Sequence, residues 1–135
     1  MKQYSLKDNN LWNMINADFG NDGGIYKIIW IVNNEQRTIP RLFGKDNNGV
    51  LYIGKTIKYL KRIIELKKSV LPNFRSDNHD FGKRYNTTSI ISENIKLDEL
   101  FVVLIKTNKP DEYEFLELEK YLNTYGELPP FNFKL

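Results

Sequence analysis

Five side chains in this sequence are of the types that handle a phosphate diester: Tyr26, Tyr52, Lys55, Arg62 and Glu119. Hydrolysing such a bond demands an acceptor for a proton of water, positive charge on the developing phosphorane, and stabilisation of the leaving oxygen. Arg62 offers a fixed guanidinium fork suited to phosphate, and Lys55 a second cation. Glu119 offers an oxygen ligand for one hard metal ion. Tyr26 and Tyr52 fall in two runs that read as strands, and cross-strand neighbours come within several ångströms. Each also has a plainer use. The tyrosines suit a packed core, Arg62 is one cation among several in a basic helix, and Glu119 shares its helix with Glu112, Glu114 and Glu117, all of them possible surface solubilisers.

Composition narrows the chemistry from the other side. The 135 residues hold no Cys and one His, which excludes disulfide scaffolds, thiolate metal sites, cysteine nucleophiles and zinc sites built on several imidazoles. Oxygen ligands remain, and these suit Mg²⁺, Mn²⁺ or Ca²⁺. The net charge of +3 hides a strong partition. Residues 54–85 carry nine Lys/Arg against three Asp/Glu, whereas residues 86–135 carry five against nine. Such a chain could hold a polyanion beside a divalent cation, or pair two solvated helices of opposite charge. The apolar runs 28–32 and 101–105 are five residues long, against the roughly 20 that span a bilayer. The first twelve residues lack the apolar core of a signal peptide, so a cytoplasmic location without membrane contact is expected.

The elements that must position these side chains follow from periodicity and punctuation. A helix is expected over 5–18, with Ser5 as N-cap and Gly20 at its end. Strands are expected over 25–32 and 50–53, separated by a polar stretch, 33–48. A helix over 57–69 stops at Pro72, and residues 73–88 show no clear periodicity. A strand over 100–107 and a helix over 110–124, capped by Asn108 with Pro110 in its first turn, complete the order. The expected class is α+β: one domain over 1–135, with a small antiparallel three-stranded sheet flanked by helices in a β-β-α-β-α core. Residues 1–22 form an N-terminal helical extension and 33–48 an inserted hairpin loop.

Gly24-Ile25-Tyr26 on the first of these strands and Tyr52-Ile53-Gly54 on the second resemble the paired signature of the GIY-YIG nuclease superfamily. Lys55-Thr56 follows at once, Arg62 lies ten residues after Tyr52, and Glu119 on the last helix precedes Asn132 by thirteen. The resemblance covers roughly 23–132. It implies a Mg²⁺- or Mn²⁺-dependent DNA endonuclease that uses one metal ion and leaves 5′-phosphate and 3′-hydroxyl ends. It also implies that one phenol acts as general base, that Glu119 holds the metal with Glu117 as the second choice, and that Asn132 supports the site. Asn132 could equally tie the chain end to the core through hydrogen bonds. A phenol with an ordinary pKa near 10 suits neutral pH poorly, so Arg62, Lys55 and the metal would have to lower it.

Two departures from the family pattern matter. The His or Tyr expected one turn after the catalytic Arg is here Leu66, and His79, four residues after Arg75, is the candidate to fill that role from the following loop. The two tyrosines are 26 positions apart where compact members have about ten, as in a restriction-enzyme-like branch with an enlarged hairpin. That insertion carries Arg37 and Arg41, expected to meet DNA or a partner subunit. Lys55, Lys58, Arg62, Arg75, Lys83, Arg84 and Arg41 are the expected DNA contacts. With no appended DNA-reading domain, the chain would cut with modest specificity, dimerise or depend on a partner protein. A non-catalytic nucleic-acid-binding module, or an interaction subunit of a larger assembly, are the other readings.

Overall fold

The computed structural model describes residues 2–72 and 78–135. The fold is α+β, built on a mainly antiparallel sheet flanked, among the described residues, by five α-helices. Its spine is β2 (Gly24–Val32), a nine-residue run of aliphatic and aromatic side chains buried on both faces. β6 (Val50–Thr56) lies antiparallel on one side of β2 and β7 (Leu100–Lys106) on the other. These three are the expected strands. The sheet is larger than three, however. β1 (Gln3–Ser5) pairs with the outer edge of β7, and β3 (Glu35–Gln36) folds back on the end of β2 through Asn33 and Asn34, both at positive φ. Paired left-handed residues make the tight hairpin turn whose twist matches the strands it joins.

Ser5 is therefore the last residue of a strand, not a helix cap, and α1 (Leu11–Phe19) starts six residues later than expected. Tyr4 draws this segment into the sheet: its ring is buried and its hydroxyl donates to Asp18 at 2.5 Å. A shift of register between Ile28 and Ile29 turns both Leu51 and Tyr52 toward one layer of the core. That layer holds Leu11, Ile15, Tyr26, Ile28, Tyr59, Ile63, Leu66 and Phe81, covered by α1, α2 (Tyr59–Val70) and α3 (Asp80–Thr87). The opposite face of the sheet packs Ile29, Ile31, Val50 and Ile53 against Leu118 and Tyr121 of α5 (Pro110–Tyr125). Lys109, rather than Asn108, holds the N-cap position of α5, and Gly126 ends it at φ 76°.

The stretch 73–88 was expected to lack regular structure, yet its second half forms α3, and α4 (Ser89–Asn94) follows. Phe81 and Tyr85, four apart, give α3 one buried face. It crosses α2 closely: a Cβ on Gly82 would lie 1.7 Å from the Ser69 hydroxyl oxygen. The insertion 33–48 is also structured. Its β4 (Ile39–Pro40) pairs with β5 (Lys45–Asp46), and the buried Asp46 carboxylate accepts the N–H groups of Asn48 and Val50 and the Tyr121 hydroxyl. The tip docks on the C-terminal end of α5, where Phe43 N–H donates to the Tyr125 carbonyl. Among the described residues, no helix is long and apolar enough to cross a membrane.

Candidate functional site

Tyr26 lies directly opposite Gly54 in the β2–β6 ladder, with Tyr52 two residues along on the same face. The Tyr26 ring leans over Gly54: a Cβ there would stand 2.4 Å from Tyr26 Cζ and 2.8 Å from Tyr52 Cε1. Only glycine allows both phenols to converge, with ring centroids 6.1 Å apart. Gly24 is required for a similar reason, because a Cβ would strike the Ile105 carbonyl oxygen at 2.3 Å and the Tyr59 hydroxyl at 2.5 Å. Tyr59 in turn donates to the Ile25 carbonyl at 3.0 Å and fixes α2 against the strand that carries Tyr26.

His79, at the N-cap of α3, closes this cluster. Its Nδ1 accepts the Phe81 N–H at 3.1 Å. The proton of the neutral ring therefore sits on Nε2, which donates to the Tyr26 hydroxyl oxygen at 2.7 Å. Burial, reinforced by the Arg62 charge, lowers the His79 pKa to about 3, so this tautomer holds throughout the neutral range. Arg62 projects from α2 and donates from Nη1 to the Asn78 carbonyl at 2.9 Å, tying α2 to the residue before His79. Its positive charge also acts on the Tyr26 phenol. Burial raises the pKa of both phenols; the Arg62 charge opposes that rise, and the Glu114 charge adds to it.

Of the acidic side chains on α5, Glu114 is the one whose charge acts on both phenols, with Asp80 of α3 also acting on Tyr52; Glu119 does not. Glu114 is half-buried and its pKa is raised by burial, an effect that Lys55 offsets. Lys55 Nζ lies 2.6 Å from Asp111 and 3.6 Å from Glu114, one helical turn apart on α5. Glu119 lies about 140° around the helix from Glu114. Among the described residues its side chain has no hydrogen bond or ion pair. Glu117 pairs with Lys27 at 3.0 Å on the far face of the sheet. The helix phase set by Leu118 and Tyr121 was the available signal, since Glu114 shares their stripe and Glu119 does not.

Asn132 acts on the backbone. Its Oδ1 accepts the Ile53 N–H at 3.0 Å and its Nδ2 donates to the Ile53 carbonyl at 2.9 Å, so one amide pairs both groups at the centre of the second triplet. Arg84 donates to the Pro130 carbonyl at 2.9 Å and stacks on Phe131 and Phe133, holding the same tail. Arg41 is held by Glu127 at 3.2 Å and by the Leu128 carbonyl at 2.8 Å. That end of α5 is roughly 16 Å along the axis from Glu114, and the Arg41 side chain faces protein instead of open solvent. Arg37 covers the Trp30 ring. Lys58 and Lys83 are exposed, and Arg75 lies outside the described residues.

Among the described residues no group of three or more acidic or imidazole side chains is gathered to hold a metal ion; Asp111 and Glu114 are a pair of carboxylates that Lys55 bridges. Glu114 and Asp111 present hard oxygens at one place, and Glu114 is only loosely held by Lys55. One or two carboxylates completed by water and substrate phosphate is the habit of Mg²⁺. No family model, curated protein or solved structure matches the chain.

Proposed function

We propose that the chain is a divalent-metal-dependent DNA endonuclease of the GIY-YIG type, which hydrolyses phosphodiester bonds to 5′-phosphate and 3′-hydroxyl ends. The carrying observation is the neutral His79 Nε2–H held 2.7 Å from the Tyr26 oxygen, with the Arg62 charge acting on the same phenol and Tyr52 beside it. An imidazole N–H donor on the phenol oxygen and the Arg62 charge both offset part of the rise in pKa that burial imposes on Tyr26. Tyr52, the more exposed of the pair, faces the attacking water and as its phenolate takes up the proton that the water loses, while Tyr26 stays in place under the His79 Nε2–H. Arg62 and Lys55 bind the scissile phosphate and offset its growing negative charge. Glu114, with Asp111 next to it, is the metal ligand. The bound ion supplies charge stabilisation at the leaving 3′ oxygen.

A binding module without catalysis has one observation in its favour, the burial that raises both phenol pKa values. Supercoiled plasmid with Mg²⁺ or Mn²⁺ separates the two. Nicking by the native chain, lost in Glu114→Ala and Arg62→Ala and largely kept in Glu119→Ala, is the expected result. Salt-sensitive binding with no cleavage under either metal sinks the nuclease reading.

A further inference from the structure

Ile57, in the bend between β6 and α2, is 86% exposed, more than any other large apolar side chain among the described residues. Its backbone is nonetheless clamped. Thr56 Oγ1 accepts the Lys58 N–H at 3.1 Å and donates to the Lys58 carbonyl at 3.0 Å. Tyr59 N–H donates to the Asp22 carbonyl at 2.9 Å. Gly23 presses so closely that a Cβ on it would lie 2.3 Å from the Ile57 carbonyl carbon. A β-branched side chain on a fixed backbone is a stiff projection. Lys55 precedes it by two residues and the exposed Lys58 follows it. Lys58 has no acidic partner among the described residues.

We infer that Ile57 is a DNA-positioning wedge, an inference that rests on the nuclease reading. It enters the base stack while Lys55 and Lys58 hold phosphates on either side, and the kinked duplex is thereby seated over the phenols. Apolar wedges of this kind partly unstack a base step and bend the duplex, and isoleucine is among the residues that serve. The other strongly exposed apolar side chains lack this setting: Leu42 and Phe43, for example, sit at the far end of α5.

The test uses relaxed closed-circular plasmid, metal-free protein and a topoisomerase that needs no metal. Wedge insertion unwinds DNA, so the native chain should leave plasmid of altered linking number. Ile57→Ser should leave it unchanged while melting at the native temperature and binding DNA within twofold of native. With Mg²⁺, Ile57→Ser should cut about tenfold more slowly, and Ile57→Met should restore both unwinding and cutting. If the native chain binds and cuts but unwinds nothing, or if Ile57→Ser matches it in both assays, the wedge is overturned and the nuclease reading stands. If the native chain neither binds nor cuts, both fall.

Discussion

Replacing Gly54 with Ala adds one methyl group at the point where both phenols converge. Its carbon would stand 2.4 Å from Tyr26 Cζ, 2.5 Å from the Tyr26 hydroxyl oxygen and 2.8 Å from Tyr52 Cε1. Carbon atoms in contact settle at about 3.5–4.0 Å, so the Tyr26 ring must retreat by roughly 1.1–1.6 Å or the strands must part. The ring has little room, because Tyr26 is 1% exposed and its hydroxyl is already 2.7 Å from His79. Overpacking of this kind costs about 1–3 kcal/mol. For a chain of this length that lowers the melting temperature by roughly 4–12 °C. A displacement of that size spoils the 2.7 Å geometry between the phenol and His79, and about 1 Å of misplacement in a catalytic group costs on the order of 100-fold in rate. Thermal unfolding followed by circular dichroism gives the first number, and plasmid nicking at a temperature where the variant is fully folded gives the second. A Gly54→Ala protein that melts and cuts like the native chain refutes the steric account of the second triplet.

Other consequences concern the cluster and its supports. His79 is neutral in the fold down to about pH 3 but takes up a proton below about pH 6.5 once unfolded. The unfolded state therefore binds more protons between those values, and stability falls as the pH drops through that window. Its contribution approaches about 1.4 kcal/mol per pH unit once the pH is below the unfolded pKa, so between pH 6.5 and 4.5 the native chain should lose ~2.3 kcal/mol more than His79→Asn in urea titrations; equal losses would contradict the buried neutral imidazole. Asn132→Ala unpairs both backbone groups of Ile53 and should raise the exchange rate of the Ile53 amide at least tenfold, which hydrogen-exchange NMR reads directly. Asp46→Ala leaves two N–H groups and the Tyr121 hydroxyl without their shared acceptor and should cost about 3 kcal/mol in denaturant unfolding, with Asp46→Asn recovering part of it. Gly82→Ala forces α3 off Ser69 and should destabilise by about 2 kcal/mol or more while moving His79; an unchanged midpoint would mean the helices are not held so tightly.

The central strands and two of the helices were legible because each bears an unbroken local signal: the Ile25–Val32 run, the apolar stripe of Leu60, Ile63 and Ile64, and Pro110 opening an acidic first turn. β1 was not legible, since Gln3-Tyr4-Ser5 has no strand signal of its own and is a strand only because β7 offers it an open edge. α3 was legible in principle. His79 as cap, Asp80 in the first turn and Phe81 with Tyr85 on one face make a short amphipathic helix, but the polar residues around them hid it. The site divides in the same way. The glycines, the tyrosines and Arg62 are fixed by local register and helix phase. The choice of carboxylate depends on which face of α5 meets the sheet, and spacing to Asn132 could not decide that. The contribution of His79 depends on where α3 docks, which is set by the Gly82–Ser69 crossing far along the chain from either tyrosine.

The inserted hairpin and the chain end share one structural task. β6 carries Tyr52, Gly54 and Lys55, yet it lies at the side of the sheet, where unpaired backbone groups invite other strands. The tail covers that side: Phe131 N–H donates to the Leu51 carbonyl and Asn132 pairs with Ile53. The insertion in turn anchors the region before the tail, through Arg41 on Leu128 and Glu127 and through Phe43 against Gly126. Arg84 completes the arrangement from α3 by gripping Pro130 and stacking on Phe131, so the helix that presents His79 and the strand that presents Tyr52 are joined through the same few residues. The basic side chains Arg41 and Arg84 therefore stiffen the strand under the phenols. On the proposed reading, phosphate recognition falls to Lys55, Lys58 and Arg62, which lie within one short stretch at the exit of the second triplet.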